Sequence, residues 1–271
     1  MKQLLKLANN LARHLLTQSQ YESLIDFRDD LSMVISRDYW RRLEQVRQLK
    51  DKHQGERCFI IGNGPSLNRT DLPRLAEEYT FGLNRIYLLF GKMGFVPSYY
   101  VCTNLHVIEQ SWQEIRSIPH CKFIGRAGIP YMSDLDNTIF LRSLSRPRFS
   151  YDIARGVWEG ATVTYCAMQI AYYMGFTEVI LVGVDHYFAT KGEPHKLVIS
   201  SGDDPNHFDP NYFGKGVNWQ LPDLQMSELA YEMAKVTFEK AGRRILDATI
   251  DGHLQIFPKV SFEEIVMAQT R

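Results

Sequence analysis

The stretch Cys58-Phe59-Ile60-Ile61-Gly62-Asn63-Gly64-Pro65-Ser66-Leu67 decides the fold. Four apolar residues run without a polar interruption and stop at Gly-Asn-Gly-Pro, which predicts a buried strand, a tight turn and a following helix. A strand with no polar face is covered on both sides, as in a parallel sheet flanked by helices. In such a sheet ligands sit outside the carboxyl ends of the strands. Glycines there let the backbone come close to a ligand, and the helix that follows offers free N–H groups to a phosphate. Gly62, Asn63, Gly64 and Ser66 are therefore the first candidate nucleotide-binding residues.

Working outward, short apolar runs predict further strands at Tyr79–Leu83 and at residues 98–102, 122–124, 179–184 and 244–248, with helical stretches between them. Residues 162–174 are apolar nearly all round, which predicts a buried helix ended by Gly175. Residues 227–240 and 262–267 read as the last helices. This alternation predicts an α/β, Rossmann-like fold with a mainly parallel sheet and helices on both faces. Residues 1–52, with Leu4, Leu5, Ala8, Leu11 and Leu15 and then Tyr39, Leu43, Val46 and Leu49 at three-to-four spacing, read as a helical appendage to a nucleotide-binding catalytic domain over 53–271. Residues 189–222, rich in Gly, Pro, Asp and Asn and without a period, read as a long lid loop over a site.

Charge and composition exclude several classes. Lysine plus arginine (31) equals aspartate plus glutamate (31), so no general basic field exists to hold nucleic acid. Cys58, Cys102, Cys121 and Cys166 stand singly, a spacing that suits neither a zinc site nor a disulfide framework and favours a reducing, cytoplasmic setting. Lys2, Lys6, Asn9, Asn10 and Arg13 interrupt the start, so it does not read as a signal peptide. The longest apolar stretch, near residues 165–176, falls well short of the ~20 residues that cross a bilayer. Lys2, Lys6 and Arg13 beside an apolar face suit peripheral contact with a membrane surface, and the same face suits packing on the domain or on a second copy of the chain.

The other strand ends supply the remaining candidates. Asn84 and Asn104 stand at the second and third, so with Asn63 three neutral amides recur about every twenty residues, able to read a base, a ribose or a phosphate without repelling it. The strand near 179–184 ends in Asp185-His186-Tyr187. His207 sits in the lid as Pro205-Asn206-His207-Phe208 and is placed to act as a general base, while a tyrosine hydroxyl at 187 can donate to a departing phosphate oxygen. A dinucleotide fold is disfavoured, because Gly62 to Leu67 does not complete G-x-G-x-x-G.

These residues resemble known families. Ile60 to Leu67, Asn84, Asn104, Gly183-Val184-Asp185-His186-Tyr187 and Asn206-His207 resemble the family 42 bacterial sialyltransferases. A wider pattern over about residues 40–266, including Asp247-Ala248-Thr249 and Ile256-Phe257-Pro258, resembles bacterial proteins grouped with 6-hydroxymethylpterin diphosphokinases and motility accessory factors. The first resemblance implies a CMP pocket lined by Asn63, Gly64, Asn84 and Asn104 and needing no metal or other cofactor. It also implies Thr162 at a helix start on the nucleotide, Tyr187 assisting the leaving phosphate and His207 as base. It implies a second tyrosine where this chain has Glu193, with Tyr212 or Lys215 as substitutes in the lid.

The implied activity is transfer of a sialic-acid-like or other acidic sugar from a CMP-activated donor to a hydroxyl on a glycan, a lipid-linked sugar or a protein. The second resemblance implies pyrophosphoryl transfer with ATP and Mg²⁺, for which Asp203, Asp204 and Asp209 are the available carboxylates. A non-catalytic nucleotide-sugar-binding protein is the third expectation. For an enzyme of this kind the expected location is the cytoplasm, with contact at the inner membrane through the N-terminal helices.

Overall fold

A computed structural model describes residues 37–267 and, before them, only positions 13, 15–17, 20, 21 and 24. The expected helix that carries Lys2 and Lys6, and with it the expected membrane or subunit contact, lies outside the described residues. No helix among the described residues is long and apolar enough to cross a membrane.

Seven strands form one all-parallel sheet: β1 (Arg57–Ile61), β2 (Tyr79–Leu83), β3 (Tyr99–Cys102), β4 (Cys121–Gly125), β5 (Thr138–Leu141), β6 (Glu178–Val182) and, after a small hairpin, β9 (Arg244–Asp247), in the order β5-β4-β3-β2-β1-β6-β9. Alternate side chains of each strand enter separate cores. Cys58, Ile60, Phe81, Leu83, Val101 and Phe123 face one side, and Phe59, Ile61, Tyr100, Cys102 and Ile124 the other. Because β1 is flanked by β2 on one side and β6 on the other, the chain reverses its direction of travel across the sheet between them. In a sheet of this kind a ligand crevice lies outside the carboxyl ends of the strands where that reversal occurs.

Helix α1 (Arg37–Gln48) packs onto the edge of this body: Val46 and Leu49 join the first core, and Arg42 donates to the carbonyls of Thr138 (2.5 Å) and Ser133 (2.8 Å). Short helices α2 (Phe90–Met93) and α4 (Ile129–Met132) and the longer α3 (Leu105–Ser117) complete the second face. Helix α5 (Val163–Tyr173) fills the first face and is buried nearly all round, as its composition predicts. Its fully buried polar residue Gln169 accepts from the Ser150 amide and donates to the Trp158 carbonyl, which satisfies the group and pins the segment that leads to the helix. Gly175, at φ 94°, ends it, with Gly175 N–H donating to Tyr172.

Three departures from expectation concern the site. The turn after β1 leads into two 3₁₀ segments, Pro65–Arg69 and Leu72–Leu75, and not into an α-helix. β5 was not expected; it is a four-residue edge strand. The region 189–222 carries a two-stranded antiparallel hairpin, β7 (Leu197–Ile199) with β8 (Asn218–Gln220), before α6 (Leu224–Lys240). The chain closes with α7 (Phe262–Met267).

Candidate functional site

A cleft of about 570 Å³ opens at the β1/β6 reversal, walled by the ends of β1, β2, β3 and β6, by the N-terminus of α5 and by the hairpin region. Gly62, Asn63, Gly64, Asn84, Asn104, Thr162, Asp185, Tyr187 and His207 all line it. Ser66 does not. Its amide (2.9 Å) and hydroxyl (2.5 Å) both donate to the Asp185 carboxylate, and the residue is 2% exposed. With both donors committed and no α-helix behind it, this turn does not present free N–H groups to a phosphate in the way expected.

The two glycines also have a different cause. A Cβ on Gly62 would collide with the Gly183 carbonyl, and one on Gly64 with the Asp185 carboxylate. The Gly64 amide donates to Gly183 O at 2.9 Å. Glycine is thus required by close approach of the β1 and β6 loops to each other. The β6 loop is held from behind: Val184 N–H donates to Thr249 Oγ1 at 3.1 Å, and buried Asp247 accepts from Thr249 N and from Lys259 Nζ at 2.6 Å. The Asp185 carbonyl accepts from His253 N at 2.8 Å, and the His253 ring stacks on half-exposed Tyr187 at the mouth of the cleft, 5.1 Å between centroids.

The asparagines divide into two kinds. Asn104 caps α3, its Oδ1 accepting from the amides of His106 (2.9 Å) and Val107 (3.1 Å), so only its amide nitrogen is open to a ligand. Asn63 and Asn84 each bury an Oδ1 that has no partner in the structure. Asn84 also holds a left-handed backbone, φ 48°, with its amide donating to Val101 and its carbonyl accepting from the Tyr100 hydroxyl. A buried acceptor without a partner costs roughly 1–3 kcal/mol, and a ligand donor in the cleft would relieve it.

His207 is oriented by a carboxylate. Its Nδ1 lies 2.7 Å from Asp204 Oδ2, and its ring stacks face to face on Tyr212, 3.9 Å between centroids. Burial opposes charge on Asp204, but hydrogen bonds from His207 and from the amides of Asn206 and Phe213 outweigh it and hold the carboxyl below its usual value. With Nδ1 engaged, Nε2 is the nitrogen available to a ligand. Asp204 stands in contact with this ring, which makes it the orienting partner of a base, a role its sequence position did not suggest. Tyr212 is buried under the ring and its hydroxyl lies 3.4 Å from the Arg85 amide; Lys215 and Glu193 are exposed and outside the cleft lining.

Thr162 is the N-cap of α5; its hydroxyl accepts from the Thr164 amide and meets the Tyr231 hydroxyl at 3.2 Å. Sequence reasoning missed two further pairs that involve cleft-lining histidines, His186 with Glu228 (3.0 Å) and His195 with Asp223 (3.3 Å). Each joins residues 28 or more apart in the chain, so no local motif announces them. The thiols lie outside this chemistry: burial pushes Cys102 up to about 12 and moves Cys58 and Cys166 well above the ordinary thiol value. Among the described residues no three His, Cys, Asp or Glu side chains cluster as a metal site.

Residues 33–191 match the family model described as 6-hydroxymethylpterin diphosphokinase MptE-like, which is more than half of the 271 residues. The chain belongs to the MptE-like family. This match includes Asn63, Asn84, Asn104, Asp185 and Tyr187 but ends before the part of this MptE-like chain that holds Asp204, His207 and Glu228. Among solved structures the fold resembles that of the MAf glycosyltransferase from Magnetospirillum magneticum AMB-1, at TM-score 0.51 and 14% identity, over 85% of this chain and 40% of that one. The MptE-like chain thus spans well under half of that protein. The sialyltransferase CstII from Campylobacter jejuni, solved with the substrate analogue cytidine-5′-monophosphate, matches at TM-score 0.36 and 14% identity, over 77% of this chain and 86% of that one. No curated protein sequence matches significantly.

Proposed function

We propose that this chain is a glycosyltransferase-like enzyme that binds a CMP-activated acidic sugar in the β1/β6 cleft and transfers the sugar to a hydroxyl acceptor. The observation that carries the reading is the convergence, in one cleft, of two buried amide oxygens without partners, Asn63 and Asn84, with a histidine held by a carboxylate, His207–Asp204. The amides supply neutral recognition of the nucleotide. His207 Nε2 removes the acceptor proton, the acceptor oxygen attacks the anomeric carbon, and the nucleotide phosphate leaves with the bonding electron pair. Asp204 holds the ring in place through Nδ1. Tyr187 and the N-terminus of α5 around Thr162 are placed to assist the phosphate.

A second reading, Mg²⁺-dependent pyrophosphoryl transfer from ATP, is favoured by the description of the family model and by Glu159, Asp185 and Asp223 in the cleft wall. It stands behind the first because no lysine or arginine among the described residues lines the cleft, whereas a transferring polyphosphate calls for cationic side chains as well as metal.

Melting temperatures measured with CMP, CDP, UDP, GDP and ATP, each with and without Mg²⁺, separate the readings. Stabilisation by CMP without metal, lost in Asn84→Ala, is the expected result. Stabilisation by ATP only with Mg²⁺ selects pyrophosphoryl transfer. CMP binding with no transfer to any acceptor and no loss in His207→Ala selects a non-catalytic binding protein.

A further inference from the structure

His186 stands one residue after the Asp185 that braces the β1 loop. It is a non-glycine residue in the left-handed region, φ 53°, which aims its ring away from the course of the strand. The side chain is 8% exposed. Nε2 meets Glu228 Oε1 at 3.0 Å, and the ring lies edge-on to Tyr231 at 6.0 Å between centroids. Tyr231 in turn reaches the cap of α5 through Thr162; His186, Tyr231 and Thr162 line the cleft, and Glu228 stands behind His186. A carboxylate on Nε2 orients the ring and leaves Nδ1 as the nitrogen open to a ligand.

The surroundings give this pair its purpose. Among the described residues the cleft wall holds Glu159, Asp185 and Asp223 but no lysine or arginine, so a phosphate entering it meets negative side chains and finds its ring donors in four histidines, of which His106 sits on the first turn of α3 at the end of β3. His207 is needed as a base and is committed to Asp204. His195, 59% exposed, sits on the hairpin rim. His186 is the buried histidine beside the N-terminus of α5, where the helix dipole already favours an anion.

We propose that His186, oriented by Glu228, is the ring donor that this cleft sets against the phosphate of its nucleotide. The proposal rests on the nucleotide-binding reading above and adds the group that recognises the phosphate. It also assigns Glu228, on α6 and outside the matched family region, a part in the site.

Calorimetric titration of the full chain with CMP, UMP, GMP and AMP, and with the four matching nucleosides, tests it. In the unaltered chain one 5′-monophosphate binds at least about ten-fold more tightly than its nucleoside, the size expected for a charge-assisted hydrogen bond. His186→Asn, a residue that tolerates the left-handed backbone, removes most of that ratio and leaves nucleoside affinity unchanged. Glu228→Gln, at a half-exposed position that keeps the fold, lowers the same ratio and guards against misfolding of the first variant. Equal affinity for nucleotide and nucleoside in the unaltered chain, or a ratio unmoved by both variants, overturns the proposal while leaving the nucleotide site in place. Preference for a base other than cytosine, with the ratio behaving as described, supports the proposal and refutes the CMP assignment. A chain that binds none of the eight compounds overturns both.

Discussion

Asp204 draws its role from three donors, His207 Nδ1 and the amides of Asn206 and Phe213, which together hold its carboxyl below the usual value although burial acts the other way. A carboxyl whose value is depressed in the folded state contributes stability above its unfolded value, about 3.9, and that contribution disappears as pH falls through the folded value. The melting temperatures of the unaltered chain and of Asp204→Asn are therefore expected to differ at pH 6 and to converge below about pH 4. In the transfer reaction His207→Ala is expected to lower turnover by ~10²–10⁴-fold, read as initial rate at saturating donor. A rate within a factor of two of the unaltered chain would remove His207 from the chemistry. Gly64 supplies a third test at this scale. Gly64→Ala drives a methyl group into the Asp185 carboxylate, and overpacking of this kind costs typically about 1–3 kcal/mol, measurable by urea unfolding. The Asp185–Ser66 bond should be lost with it, so nucleotide binding should weaken together with stability.

Strand β4 carries the clearest element-scale conflict between sequence and environment. Lys122 lies fully inside the second face of the sheet, with Nζ donating to the Ile118 carbonyl at 2.6 Å, and burial lowers its value to about 8. Between about pH 8 and the ordinary lysine value near 10.4 the unfolded chain binds the proton and the folded chain does not, so stability rises with pH across that window. Below it, both states are charged and the folded one bears the burial. Lys122→Met, of similar reach, should flatten this rise and raise the melting temperature at neutral pH; a pH profile unchanged by the substitution would show that the ammonium reaches water. The strands β1, β2, β6 and β9 were legible because each is an apolar run bounded by turn residues. β5 was not, because Thr138-Ile139-Phe140-Leu141 is short and follows the polar run Ser133-Asp134-Leu135-Asp136-Asn137. The hairpin was not either: Leu197-Val198-Ile199 pairs with Asn218-Trp219-Gln220 across 18 intervening residues, a separation that no local pattern encodes. A helix was expected after Gly64 from the apolar run and the turn that ends it; the segment is 3₁₀, with Ser66 tethered to Asp185.

At the scale of the molecule, the cleft has one wall made by the sheet and α5 and another made by the hairpin region. The sheet wall is part of two continuous cores; the hairpin region enters the second through Phe208, Tyr212, Phe213, Trp219 and Leu221 and is bonded to α3 where Gln110 meets both backbone groups of Asn218, but its strand β7 leaves Leu197 and Ile199 exposed. Opening free energy follows buried contact, so amide hydrogen exchange should be fastest in β7–β8 and slowest in β1, β6 and α5. A bound nucleotide that touches His207 should slow exchange over residues 204–213 before it slows the hairpin tip. Uniform protection across hairpin and sheet would show instead that the two walls form one rigid unit.

Sequence alone determined the class of fold, the carboxyl ends of the strands as the place of the site and most of its wall, because these depend on runs of apolar residues and on turn chemistry that are local in the chain. Tertiary structure alone decided what each of those residues is free to do. Ser66 is consumed by Asp185 119 residues away, and His186 gains Glu228 only when α6 packs beside the β6 loop. Hydrogen-bond partners are set by distance in space, and a chain folded into a parallel sheet brings together strand ends that its sequence keeps far apart.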